Sequence, residues 1–149
     1  MSPQTAVASA RHATWLWLLL ALFVVRVVAQ PLALIVHGAI LPPFDDWQSG
    51  AVPYPMLVVA QTLIIVWLWR TAGRFADARE VPRRRRGAIM LGLGGVYFLA
   101  MVGRLVMGAT LLREQRWFAS PIPTAFHLVL ATTLLVYGHF HFRYGVERQ

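Results

Sequence analysis

The sequence contains no cysteine and no lysine. The first absence removes disulfide frameworks, thiolate metal centres and thiol redox chemistry, including that of small membrane oxidoreductases built on cysteine pairs. Charge of either sign is scarce: 13% of residues are charged against 58% hydrophobic, and the mean hydropathy is +0.57. A water-facing surface cannot be covered at that ratio, whereas a lipid-facing one needs almost no charge. Acids are scarcer still, since Asp and Glu together number 6 and none lies within an apolar run.

What the chain does have is four apolar stretches. Crossing a bilayer takes roughly 20 helical residues at about 1.5 Å each. Spans are expected at about 14–36, 54–70, 88–112 and 118–140. Short strands of alternating polarity are missing, so a membrane barrel is not expected. The 6 tryptophans fall mostly near the ends of these stretches, where an amphipathic indole prefers the membrane interface. The fold expected is all-α: a single domain over 1–149, an integral membrane four-helix bundle.

The net charge of +8 comes wholly from arginine. A pI near 11.5 invites a nucleic-acid reading, but no aromatic stacking platform or groove-reading helix accompanies the charge, and no nucleic-acid partner is expected. The arginines are sorted by loop instead. Arg70, Arg74, Arg79 and the run Arg83 to Arg86 lie between the second and third spans, while the loop at about 37–53 carries only Asp45 and Asp46. The positive-inside rule then places both termini in the cytoplasm and the acidic loop outside, in a plasma (inner) membrane. Arg11 and Arg143 agree, while Arg113 and Arg116, partly offset by Glu114, run mildly against it. The arginine run is also expected to touch anionic membrane lipid. The first span has some features of a signal peptide around Val27-Val28-Ala29, but its apolar character continues to Val36, so a retained span is expected. The outer loop at 37–53 has Pro42, Pro43, Pro53, Pro55 and Gly50 in or beside it, which rules out regular structure there, and Phe44, Trp47 and Tyr54 give it apolar surface.

Two arginines, Arg26 and Arg104, stand inside spans. A charge at that depth costs at least ~2.5–3.5 kcal/mol on insertion scales, so it is normally paired or turned toward a cavity. Counting along each helix puts Arg26, Gln30, Gln61, Arg104 and His127 at a similar level, at or just outside the midplane. Helical periodicity adds Tyr97 below Arg104, Tyr54 above Gln61, Thr124 beside His127 and His37 above Gln30. Turned inward, these stripes form a polar pocket of Arg26, Gln30, Gln61, Tyr97, Arg104 and His127. Buried cations need negative partners, and two sources remain open. Asp45 or Asp46 of the outer loop folds in and pairs with Arg26 or Arg104, or the arginines grip the oxyanion of a lipid or lipophilic small molecule. Either suits the planar, permanently charged guanidinium.

Other chemistries have weaker support. His127 and His141 share a face of the fourth span, as the paired ligands of membrane cytochromes do. No second helix brings a histidine to the matching depth, since His12 and His37 sit near the two ends of the first span, and no haem or other cofactor is expected. The histidines are too dispersed for a metal centre, and the spans have no acids. Ser49 and Ser120 sit in no nucleophile elbow, so no catalytic residue is assigned. The third span carries a face of small residues, Ala88, Gly92, Gly95 and Gly103, which suits packing within the bundle or against a membrane protein partner. The leading function is therefore binding of a lipophilic, anionic small molecule or membrane lipid in the outer half of the bundle. The alternatives are a non-catalytic accessory subunit and a small membrane enzyme using His127 as acid or base.

Overall fold

The computed structural model describes residues 3–36, 41–47, 52–112, 114–115, 118 and 121–145, and within these the side chain of Asp45 is excluded. It is all-helical. Four helices, α1 (Pro3–Ile35), α2 (Tyr54–Ala76), α3 (Arg84–Ala109) and α4 (Pro121–Tyr144), are each long and apolar enough to cross a membrane. A short 3-10 turn, Phe44–Trp47, lies between α1 and α2. Four such helices are compatible with a multi-pass membrane protein.

Each helix is longer than a span because polar turns extend it beyond the apolar run. At 33 residues α1 begins well before Thr14 and exceeds the roughly 20 residues that cover a hydrocarbon thickness. Its buried stripe runs through Ser9, Ala13, Leu16, Leu20, Phe23, Arg26, Gln30 and Ala33, at the three- and four-residue spacing of one helix face. Pro31 lies inside the helix without ending it.

Successive helices run antiparallel. The bundle therefore has a basic end, formed by the start of α1, the α2–α3 loop and the end of α4, and a far end that carries the 3-10 turn. Helix α4 is central. It packs on α3 and on α1, α1 packs on α2, and the lateral order is α2–α1–α4–α3.

The α3–α4 contact is the closest. A Cβ at Gly87 would collide with the backbone of His141 and Phe142, and one at Gly138 would come within 2.8 Å of the Leu91 amide nitrogen. Such approach of two helix backbones is what small residues permit in membranes. Gly94 repeats it one heptad on from Gly87, 3.1 Å from Leu134 and Leu135.

At the basic end Leu16, Leu20, Leu68, Ala72, Phe75, Tyr137 and Phe140 form the apolar core. Phe75 stacks edge-on against Phe140, ring centres 4.7 Å apart. The α1–α2 pair is pinned where the Ser9 hydroxyl donates to the Phe75 carbonyl at 2.7 Å. Ala78 closes α2 in the left-handed region, φ 54°, with the Arg79 N–H reaching back to the Arg74 carbonyl at 2.9 Å.

Candidate functional site

Toward the far end the buried stripe of α1 changes from apolar to polar. Arg26 and Gln30, one turn apart, are 5% and 1% exposed. On α3, Arg104 is equally buried at 5%. The two guanidiniums belong to different helices, yet both lie close enough to His127 on α4 to act on its ring electrostatically. Arg104 also lies near Tyr97, and Arg26 near Tyr54 at the start of α2. The Tyr97 hydroxyl and His127 Nδ1 are hydrogen-bonded at 2.5 Å. The Phe126 ring, one residue before His127, lies 5.8 Å under the Arg26 guanidinium, in the range of a cation–π contact.

The structure thus brings Arg26, Tyr97, Arg104 and His127 into one shielded region, with Tyr54 beside them and Gln30 on the adjoining turn. Gln61 is buried at 5% exposure, but it sits two turns along α2 from Tyr54. Thr124 is fully buried on α4. Asp46 is exposed. The contact from the 3-10 turn comes from its backbone: Arg26 Nη2 donates to the Trp47 carbonyl at 2.7 Å. The Trp47 ring is itself buried, its Nε1–H donating to the Pro42 carbonyl at 3.0 Å, so this turn packs onto α1 and α4. The Asp45 side chain and residues 37–40 and 48–51, His37 and Ser49 among them, lie outside the described residues, as do Arg113, Arg116, Trp117 and Ser120.

Three buried polar atoms in this region, Arg26 Nε and both amide atoms of Gln30, have no hydrogen-bond partner among the described residues. A buried, unsatisfied polar group costs about 1–3 kcal/mol, and more in hydrocarbon, where no water is available to it. The donor set of a guanidinium edge and a carboxamide N–H matches an oxyanion; the Gln30 carbonyl oxygen matches a hydroxyl or amide.

A second polar cluster, at the basic end, was not anticipated from sequence. Glu80, in the α2–α3 loop, is 6% exposed. Its carboxylate lies 3.2 Å from Arg74 Nε, 3.7 Å from Arg86 Nη1 and 3.3 Å from His141 Nε2. It also accepts the Tyr137 hydroxyl at 3.3 Å, and Tyr137 in turn accepts Arg86 Nη1 at 3.2 Å. Burial works against the charge on Glu80, but His141, Arg74 and Tyr137 outweigh it and hold the carboxyl below its ordinary range. His141 Nδ1 accepts the Arg83 backbone N–H at 3.1 Å, which leaves the ring proton on Nε2, 3.3 Å from Glu80 without hydrogen-bond alignment. Glu80 therefore ties α2, α3 and α4 together. In the sequence it reads as one more charge in a basic loop. Arginines at Arg84 to Arg86 sit at the helix end where cations are disfavoured, and Glu80 offsets them.

The small-residue face expected on α3 is not the one that packs. Its expected members Gly92, Gly95 and Gly103 do not pack within the bundle, since Cβ atoms there would meet nothing within 4 Å and Ala88 is exposed, and the α4 contact is carried instead by Gly87 and Gly94 on another face of the helix. Among the described residues no group of three or more His, Asp or Glu is placed to hold a metal ion. Comparison with protein-family models, with curated proteins and with solved structures finds no match for this chain.

Proposed function

We propose that this chain is a multi-pass protein of the plasma (inner) membrane with both termini cytoplasmic, and that it holds the anionic group of a lipophilic molecule or lipid between Arg26 and Arg104 in the outer half of the bundle. The orientation rests on the loop charges, since the end bearing Arg74, Arg79 and Arg83 to Arg86 is the one the positive-inside rule assigns to the cytoplasm. The binding reading is carried by Gln30. At 1% exposure it leaves donor and acceptor unanswered among the described residues, one turn from a guanidinium whose Nε is also unanswered. A carboxylate or phosphate oxygen there accepts Arg26 Nε–H and the Gln30 amide, and Arg104 balances its charge from the opposite wall. Trp47 then caps the site, its carbonyl already holding one arm of Arg26.

Native mass spectrometry from mild detergent tests this. The wild-type chain is expected to carry a small-molecule or lipid adduct near one per chain. Arg26→Gln and Gln30→Leu are expected to lose it. Gln30→Leu replaces an unsatisfied amide by an apolar isostere, so its melting temperature should be no lower than wild type. An adduct that survives both substitutions, or a wild-type chain without one, would overturn the proposal. A second polypeptide retained in place of a small adduct would favour the accessory-subunit reading, for which the open Gly92, Gly95 and Gly103 face is the supporting observation.

A further inference from the structure

At the opposite end of the bundle a cavity of about 530 Å3 lies between the first turns of α1 and the last turns of α4. Its polar lining residues are Gln4, Arg11, His12, His139 and Tyr144. None of its described lining residues is an acid. One turn deeper on each helix the walls become apolar, with Trp15 four residues after Arg11 and Leu135 four before His139. Over about 6 Å of helical rise the cavity thus passes from cationic to hydrocarbon-like.

The imidazoles are fixed in place. His12 Nδ1 donates to the Ala8 carbonyl at 2.7 Å, so its Nε2 accepts from His139 Nδ1 at 3.2 Å. The rings stack with centres 5.4 Å apart. Neither contact is needed to join α1 to α4, whose packing is already made by Leu16, Leu20 and Phe140 in the adjoining core. The volume falls within the roughly 300–1,000 Å3 typical of small-ligand sites.

We infer that this cavity is a second binding site, which takes an anionic glycerophospholipid with its phosphate against Arg11 and the Nε2 edge of His139, which takes up a second ring proton from water on binding, and with the upper part of an acyl chain against Trp15 and Leu135. A free phosphate shares the headgroup chemistry but makes no use of the apolar walls. Basic pockets between spanning helices on the cytoplasmic side suit such headgroups. The cytoplasmic placement rests on the orientation proposed above; the chemistry of the cavity does not.

The test uses the full chain in phosphatidylcholine vesicles containing a minor share of phosphatidylglycerol, with bromine on the acyl chains of one lipid or the other. Trp15 is read as the difference between wild type and Trp15→Phe. Brominated phosphatidylglycerol is expected to quench Trp15 with roughly fivefold preference over brominated phosphatidylcholine at equal concentration. Arg11→Gln and His139→Gln should abolish the preference. Arg70→Gln, which removes the same charge from an exposed site on α2, should keep it, and so should Arg26→Gln, which separates this site from the one in the outer half. Equal quenching by the two lipids, or loss of the preference in Arg70→Gln as complete as in Arg11→Gln, overturns the assignment. Loss of the preference on adding inorganic phosphate at the concentration of the anionic lipid overturns it in favour of the free ion.

Discussion

A carboxylate as deeply buried as Glu80 is tolerated only because each oxygen is answered, by Arg74 on one side and by His141, Tyr137 and Arg86 on the other. Its folded pKa lies below the unfolded value, which is about 4.3 for a glutamate. The stability it contributes is therefore fully present above that value and is lost as pH falls through the folded pKa. Thermal unfolding in detergent should show a falling melting temperature as pH drops from 6 toward 3. Glu80→Gln should be less stable at neutral pH by ~1–3 kcal/mol, a range lowered because Arg74 and Arg86 are half exposed, and should show a flatter acid limb. An unchanged acid limb would remove Glu80 as its source. Single residues were legible where composition isolated them. Arg26, Arg104 and Gln30 stand out because their surroundings are apolar. Glu80 does not, since a loop with seven arginines conceals which acid is buried. His12 and His139 are 127 residues apart, and local patterning cannot pair them.

At the level of helices, hydropathy gave the existence and approximate place of all four, because the bilayer sets both the length and the polarity a span must have. It could not say which glycines touch. Gly87, Gly92, Gly94, Gly95 and Gly103 look alike in sequence, and the choice among them depends on the rotation of α3 against α4. That rotation makes a sharp prediction. Gly87→Ala and Gly138→Ala, where the new methyl meets backbone, should lower stability by roughly 1–3 kcal/mol. Gly92→Ala and Gly95→Ala meet nothing within 4 Å and should be neutral, or stabilising by up to ~1 kcal/mol from helix propensity. Melting curves of the four variants in one detergent decide it; equal effects across the set would show that α3 is rotated differently. The 3-10 turn illustrates the other limit. Prolines led to the expectation of a segment without regular structure, whereas Phe44–Trp47 form a 3-10 turn, and nothing local in the sequence shows that the Trp47 carbonyl, rather than the Asp46 carboxylate, meets Arg26.

For the molecule as a whole, the proposed orientation has a direct consequence. A green fluorescent protein fused after Gln149 should fluoresce, since it folds only on the cytoplasmic side, and an alkaline phosphatase at the same point should be inactive. The reverse pattern would invert the bundle, and with it the leaflet each proposed site would face. The lateral order α2–α1–α4–α3 carries a further implication. The chain divides into two hairpins, α1 with α2 and α3 with α4, which meet along the α1–α4 seam and at the ring and carboxylate contacts of the basic end. The backbone link between them at Asp77 to Arg79 is not what aligns that seam. A chain severed there and expressed as two separate polypeptides should reassemble in the membrane and be recovered as a pair through an affinity tag on either half, with Arg74 of one piece still facing Glu80 of the other. The gene could in that sense have been two.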